Sequence, residues 1–155
     1  MLHQSACLSV LEQVRLQNRD RALVVMAPGL GKTFTAAFDA HNFLYQNDFE
    51  NKKILFLCHQ NDILEQGMKT FQQVFGDSFH FGFFNGRKKQ FFVKDGLFAS
   101  FQTIKDSLDF FGPEHFAYIV VDESHHSMAS TYKPVIDYFK PKFILGITAT
   151  PDRSD

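Results

Sequence analysis

Short apolar runs alternate with amphipathic stretches along almost the whole chain. Six mostly apolar runs predict β-strands, at residues 22–27, 53–58, 79–84, 97–101, 117–122 and 143–147. Between them, apolar residues recur at helical spacing, which predicts helices at residues 2–18, 33–45, 61–75, 103–110 and 132–139. Continuous apolar strands that alternate with helices indicate βαβ units. The pattern therefore predicts a three-layer α/β/α domain around a mostly parallel sheet.

Two of the helices carry more specific expectations. The helix at 33–45 has four apolar side chains on or near one face, which we expect to pack against the core: Phe34, Ala37, Phe38 and Leu44. The helix at 61–75 starts with Asn61 and Asp62, either of which could cap its first turn.

Composition bounds the possibilities without selecting a function. The 155 residues, 45% of them apolar, fit one folded domain. No stretch has the length of a membrane span, and the first ten residues do not follow the signal-peptide pattern. Cys7 and Cys58 lie in different segments, which favours a reducing compartment and a cytoplasmic protein. A net charge of −1 gives no electrostatic sign of nucleic-acid binding, so motifs must carry any such inference.

The segment APGLGKT, residues 27–33, joins the first predicted strand to a helix. Its glycines allow a tight turn whose N–H groups face a phosphate, and the helix N-terminus favours anions. In such a loop Lys32 reaches the β- and γ-phosphates of ATP, and the Thr33 hydroxyl binds Mg²⁺. Met26 stands where the general pattern has glycine, so a glycine-rich turn with an exposed lysine is the alternative. The predicted nucleotide contacts are Pro28, Gly29, Leu30, Gly31, Lys32 and Thr33.

A second chemical signal lies where the strand AYIVVD ends, at Asp122 and Glu123. Asp122 is suited to hold Mg²⁺, and Glu123 to position or deprotonate an attacking water. An Asp-Glu pair alone is usually a solvated loop. Together with Lys32 it predicts an ATPase, provided that the lysine and the two acids converge on one pocket.

These segments, taken together, resemble the motifs of DEAD/DEAH-like superfamily 2 helicases. APGLGKT resembles motif I, DESH (residues 122–125) motif II, and TAT (residues 148–150) motif III. The string LGITATPDRSD is similar to the group that contains the Res subunits of type III restriction enzymes. ILFLCHQNDILEQ resembles motif Ia of that group, and FASFQTI resembles motif Ib.

The resemblance implies a RecA-like P-loop NTPase domain, residues 1–155, that is the first motor domain of an ATP-dependent DNA helicase or translocase. It implies ATP and Mg²⁺ as cofactors, and nucleic acid, with double-stranded DNA expected, as partner. A second RecA-like domain outside this chain would complete the ATP site, and nuclease or methyltransferase components could be attached; no membrane is expected. Without the arginines of that second domain, we expect the isolated chain to hydrolyse ATP very slowly. The resemblance also implies that the motif III strand lies between the motif I and motif II strands.

Individual roles follow from the same resemblance. Gln4 would read adenine, with an exposed helical glutamine as the alternative. Thr148 and Thr150 would couple nucleotide state to nucleic acid, as would His125, although a polar turn or a loop histidine is equally ordinary. The expected contacts to nucleic-acid phosphates are His59, Gln60, Ser100, Gln102 and Thr103.

Two details qualify these contacts. Gln60 stands where the group often has arginine, so it can donate a hydrogen bond but cannot neutralise charge. Ser100, Gln102 and Thr103 could instead cap the following helix. Outside these contacts, the basic run at residues 87–89, after Asn85-Gly86, is usually a solvated turn, with contact to nucleic acid as the alternative.

Two other functions remain open at this point. A P-loop ATPase that is not coupled to nucleic acid would share the Lys32 loop, but the motif Ia, Ib and III strings argue against it. A non-catalytic nucleotide-binding module is disfavoured because Lys32, Thr33, Asp122 and Glu123 are all present.

Overall fold

The computed structural model describes residues 2–26, 31–90, 93–122 and 129–149, with side chains from residue 6 in the first helix and from residue 133 in the last. The helices in these ranges are α1 (Leu2–Leu16), α2 (Lys32–Gln46), α3 (Asn61–Phe75), α4 (Phe101–Lys105) and α5 (Ala129–Tyr138). The strands are β1 (Arg21–Met26), β2 (Ile54–Cys58), β3 (Phe81–Phe84), β4 (Gly96–Ser100), β5 (Tyr118–Asp122) and β6 (Phe143–Ala149). None of the described helices is long and apolar enough to cross a bilayer.

The strands form one sheet in the order β1-β6-β5-β2-β4-β3, and every neighbouring pair is parallel. The prediction that β6 lies between β1 and β5 is confirmed. In this register Val25 of β1 pairs with Thr148 of β6, and Asp122 of β5 pairs with Ile147 of β6. Because all six strands run in one direction, their carboxyl ends meet along a single edge of the sheet.

Two buried clusters cover the two faces of the sheet and confirm the three-layer arrangement. On one face, α1, α2 and α3 pack on residues such as Phe56, Phe98 and Leu145. On the other face, α4, α5 and a 3-10 turn at Leu108–Phe110 pack on residues such as Leu57 and Val121. Aromatic rings fill much of the first cluster; the rings of Phe56 and Phe98, on neighbouring strands, stack with centroids 5.0 Å apart. The abundant phenylalanine is therefore largely core material.

The buried face of α2 differs from the predicted one. Phe38 is 40% exposed and Phe34 is only partly buried, whereas Ala36, Ala37 and Ala40 are fully buried. Small side chains at these positions let the helix approach the sheet and its neighbours closely. The expected burial of Ala37 and Leu44 is confirmed, and that of Phe38 is wrong.

Two helix starts also differ from the sequence pattern. Helix α4 begins at Phe101, not at residue 103, and ends at Lys105 before the separate 3-10 turn. Its start is fixed by Ser100, whose Oγ accepts a hydrogen bond from the Thr103 N–H at 3.3 Å. Helix α3 is preceded by Gln60 as the capping position, and that side chain makes no capping bond, so neither Asn61 nor Asp62 is the cap.

Candidate functional site

The central pair of the site joins α2 to β5. Lys32 is the first residue of α2 and Asp122 is the last of β5, and the lysine Nζ donates to Asp122 Oδ2 at 3.0 Å. The carboxylate is almost fully buried, at 3% exposure, and the lysine side chain is 25% exposed. The required convergence of lysine and acid at one end of the sheet is therefore confirmed for Asp122. Thr33 follows Lys32 in the first turn of α2.

Gly31 sets the geometry of the turn into α2. Its φ of 76° and ψ of 37° lie in the left-handed region, which costs side-chain-bearing residues energy. Its carbonyl accepts the Thr35 N–H at 3.0 Å and the Thr35 hydroxyl at 3.2 Å. The same hydroxyl lies 3.9 Å from the Met26 sulfur, and Met26 is 6% exposed in the core. The side chain at position 26, where the general pattern has glycine, is thus accommodated by packing against α2.

Part of the predicted site lies outside the described residues: Pro28, Gly29, Leu30, Glu123, His125 and Thr150. Gln4 lies in α1, without a described side chain. Thr148 is placed on β6, with 7% exposure, beside Val25 of β1. Its hydroxyl lies 3.5 Å from the Ala149 carbonyl oxygen.

The motif Ia and Ib segments meet at the carboxyl ends of β2 and β4, which are hydrogen-bonded neighbours. The His59 ring packs on the Phe101 ring with centroids 4.8 Å apart, which joins the two segments. Gln60 is exposed beside them. The structure therefore brings the predicted phosphate-contacting residues together on one part of the edge.

Local capping uses several of these polar groups. The Ser100 hydroxyl donates to Thr103 Oγ1 at 2.8 Å, while its oxygen caps α4. Gln102 is exposed and its amide donates to Asp106 Oδ2 at 3.2 Å. The capping alternative thus holds for Ser100.

Sequence reasoning used Cys58 only as a sign of a reducing compartment and missed that this residue ends β2 beside the site. Its thiol donates to the Gln60 carbonyl at 3.1 Å and is 1% exposed. Burial raises the pKa of this thiol to about 12; among the nearby charges, Asp122 raises the pKa further and Lys32 lowers it. No sequence signal identifies this buried position beside the charged pair, since a free cysteine in an apolar strand is buried as a small apolar residue would be.

Comparisons with known proteins agree with the geometry. The family model described as type III restriction enzyme, res subunit, matches residues 2–153. The Saccharomyces cerevisiae protein IRC3, whose name describes it as an ATP-dependent helicase, is 30% identical over 152 residues, covering 90% of this chain and 22% of IRC3. The type I restriction enzyme EcoAI endonuclease subunit of Escherichia coli is 30% identical over 139 residues, covering 86% and 17%. The chain spans about a fifth of the length of these relatives.

Solved structures with the same fold include the Sulfolobus solfataricus SWI2/SNF2 ATPase core in complex with dsDNA. It matches with a TM-score of 0.74 at 17% identity, over 96% of this chain and 31% of that one. The type ISP restriction-modification enzyme LlaGI, solved with a DNA substrate mimic, matches with a TM-score of 0.70 at 20% identity, over 96% and 17%. The TM-scores establish the RecA-like fold, and at these identities the likeness extends to the fold alone. Because the family model extends over nearly every residue, the chain belongs to the family of type III restriction enzyme res subunits.

Proposed function

We propose that this chain is the ATP-binding motor domain of an ATP-dependent DNA helicase or translocase of the restriction or repair type. The observation that carries the proposal is the 3.0 Å contact between Lys32 and the buried Asp122 at the carboxyl edge of the sheet. In open α/β sheets ligands bind at this edge, and the pair combines a phosphate-binding cation with a metal-binding anion. Family membership favours this function over an ATPase with no nucleic-acid partner or a non-catalytic module.

The described residues fit a magnesium–nucleotide complex. Lys32 carries three N–H donors, so it can serve a phosphate oxygen while it still contacts Asp122. Asp122 and the Thr33 hydroxyl would supply oxygen ligands for Mg²⁺, which usually takes few ligands from the protein. The described ranges hold no group of three or more His, Cys, Asp or Glu side chains placed to bind a metal ion.

Each residue then has a distinct task. Lys32 would neutralise charge on the β- and γ-phosphates, and ATP bound beside it supplies the phosphoanhydride bond to be hydrolysed. Glu123, the next residue after Asp122, would orient and deprotonate the attacking water. Gln4 would read adenine. A second RecA-like domain would provide the arginine that this site needs for rapid turnover.

On the nucleic-acid side, the ends of β2 and β4 offer neutral hydrogen-bond donors. The Thr103 hydroxyl oxygen accepts a hydrogen bond from the Ser100 hydroxyl. The Thr103 hydroxyl can therefore donate its own hydrogen to a phosphate. Gln60 and Gln102 are exposed, and the His59 ring packs on the Phe101 ring. Polar side chains of this kind position a protein on a nucleic-acid backbone without reading sequence. Double-stranded DNA is proposed as the partner because two proteins of the same fold, the SWI2/SNF2 ATPase core and LlaGI, were solved with dsDNA and with a DNA substrate mimic.

The test is ATP hydrolysis by the whole protein that contains this chain, with and without duplex DNA. We expect stimulation by DNA and a loss of about 10²-fold or more in Lys32→Ala and Glu123→Gln. Lys142→Ala, at the opposite edge of the sheet, is the matched control and should hydrolyse ATP normally. Turnover indifferent to DNA and RNA would leave an ATPase with another task. Failure to bind magnesium–nucleotide with the fold intact would leave a non-catalytic module.

A further inference from the structure

We infer that the turn after β3 is a further contact for the DNA backbone, held in a fixed shape at the end of the sheet edge. The basic turn, residues 85–89, carries Arg87, Lys88 and Lys89. This inference rests on the proposed function, because it extends the same nucleic-acid surface to a segment that the family motifs do not include.

The basic turn is built around a buried amide. Asn85 is 8% exposed, and its Oδ1 accepts the backbone N–H groups of Arg87 and Lys88, both at 2.9 Å. Its own N–H donates to the Lys88 carbonyl at 2.7 Å. An asparagine that holds two following N–H groups fixes a turn more tightly than solvent can.

Further contacts tie the basic turn to β3. Gln90 and Phe83 exchange two hydrogen bonds, from the Gln90 N–H to the Phe83 carbonyl at 3.0 Å and from the Phe83 N–H to Gln90 Oε1 at 2.8 Å. The Lys88 ammonium lies 5.7 Å from the centre of the Phe83 ring. Phe84 and Lys89 form an isolated antiparallel β-bridge. Since the backbone is already ordered, binding a ligand here loses little conformational entropy.

The position of the basic turn continues the line of predicted DNA contacts. Strand β3 pairs with β4, and Phe84 lies opposite Ala99, the residue before Ser100. Neighbouring strands are about 4.8 Å apart. The end of β2 with Gln60, the end of β4 with Ser100, and the basic turn therefore follow one another along the edge. A depression of about 110 Å³ between the start of α3 and the basic turn is lined by Asn61, Glu65, Phe83, Asn85, Arg87 and Lys88.

Charge supports an external anion. Arg87, Lys88 and Lys89 are all exposed, and none of them forms an ion pair with an acid in the described part of the chain. Glu65 lines the same depression but is not within ion-pair distance of them. The chain as a whole carries a net charge of −1, so three adjacent cations are a local concentration of positive charge. Phosphates of a DNA backbone that crosses the ends of β2 and β4 would meet these cations next.

The experiment compares two double variants of the whole protein that each remove two positive charges. Arg87→Ala/Lys88→Ala changes the basic turn, and Lys140→Ala/Lys142→Ala changes exposed lysines at the amino edge of the sheet.

Binding of a labelled DNA duplex is measured across a series of salt concentrations. Each phosphate contact adds about 0.9 to the slope of log affinity against log salt. We expect the basic-turn variant to lower that slope by about 2 and to weaken binding at low salt about tenfold or more. The amino-edge variant should match the wild type, and both should bind nucleotide normally.

Asn85→Ala provides an independent test, since it keeps all three cations and releases the turn that orders them. We expect severalfold weaker DNA binding with a nearly unchanged salt slope.

A basic-turn variant that binds DNA like the wild type would overturn the inference while the proposed function stands. Equal weakening by the two double variants would also overturn it, because the effect would then be general charge. A wild-type protein that binds nucleotide but no DNA would remove both this inference and the DNA part of the proposed function.

Discussion

The hydroxyl of Tyr118 donates a 2.6 Å hydrogen bond to Oδ2 of Asp39, a carboxylate that is 1% exposed in the middle of α2. Arg15 binds both oxygens of the same carboxylate, at 2.8 and 2.7 Å. The guanidinium also lies 4.6 Å from the ring centres of Phe43 and Phe143. One buried anion therefore holds together the end of α1, the helix that follows the phosphate loop, and the start of β5.

Removal of that anion should destabilise the fold. Asp39→Ala leaves the Arg15 guanidinium, which is 13% exposed, without its partner, and such losses cost about 3–5 kcal/mol. Asp137→Ala is the control, because its contact with Lys133 is exposed on both sides and is worth about 0–1 kcal/mol. Denaturant unfolding measures both variants. Equal changes in the free energy of unfolding would show that the buried pair contributes nothing special.

The same cluster predicts a loss of stability at high pH. Burial raises the pKa of Tyr118 well above its ordinary value, the charge and hydrogen bond of Asp39 add to the rise, and Arg15 opposes it. The unfolded chain loses this proton near pH 10.0, while the folded chain keeps it. The free energy of unfolding should therefore fall as the pH rises above 10, by up to about 1.4 kcal/mol per pH unit.

Tyr118→Phe separates this contribution from other titrations. Cys58, whose pKa is also raised, adds to the fall above pH 9, so the informative quantity is the difference between the wild type and the variant. The variant should be less stable at pH 8, by about 1–3 kcal/mol, because Asp39 loses a donor. The difference should shrink as the pH rises beyond 10. A difference that stays constant over that range would contradict the raised pKa.

The parallel sheet and the Lys32–Asp122 contact could be predicted from the sequence because each depends on a repeated or local pattern. Apolar runs at the period of βαβ units imply parallel strands, and parallel strands deliver the residues after them to one edge. The motifs then fixed which strand ends had to meet. The place of β6 between β1 and β5 was implied by the resemblance to superfamily 2 helicases, while the order of β2, β4 and β3 was not predicted.

The Asp39 cluster could not be predicted in the same way. From the sequence, an aspartate within a helix is expected to be exposed to solvent. Asp39 is buried only because α1 and β5 pack against α2. Apolar periodicity also misplaced Phe38, since the small alanines of α2 decide which face approaches the sheet. Ser100 remained ambiguous because capping and phosphate binding use the same hydroxyl, and the sequence does not say which way it points.

Gly31→Ala tests the turn that presents Lys32. The φ of 76° is strained for alanine, at a cost of about 1–2 kcal/mol. If the turn changes shape to relieve that strain, it no longer presents Lys32 in the same position. Nucleotide affinity should then fall, by up to about tenfold for each 1.4 kcal/mol of binding free energy lost. Gly112→Ala is the control, because it is exposed, has no positive φ and has no atom within 4 Å of an added Cβ. Calorimetric titration with magnesium–nucleotide measures both, and equal affinities would mean that the left-handed turn is irrelevant to binding.

The thiol of Cys58 should be unreactive in the folded protein. A pKa of about 12, against 9.0 for an ordinary thiol, lowers the thiolate fraction near neutral pH by about 10³-fold, and burial adds a steric barrier. In a Cys7→Ser background, labelling by iodoacetamide at pH 8 should be at least that much slower than in denaturant. Rapid labelling of the native protein would show that the end of β2 opens to solvent.

Thr148→Val tests whether motif III couples the nucleotide site to DNA. Valine keeps the size and β-branching of threonine, so β6 should retain its place between β1 and β5 while the hydroxyl is lost. We expect nearly normal nucleotide binding and basal ATP hydrolysis in the whole protein, with stimulation by DNA reduced about tenfold, which corresponds to a coupling free energy of about 1.4 kcal/mol. Thr70→Val is the matched control, since its hydroxyl donates to the Gln66 carbonyl within α3, away from β6. If Thr148→Val and Thr70→Val were both stimulated like the wild type, the Thr148 hydroxyl would be a strand-end group with no part in coupling. If basal hydrolysis fell together with stimulation, its role would lie in the ATP site itself, beside the Lys32–Asp122 pair.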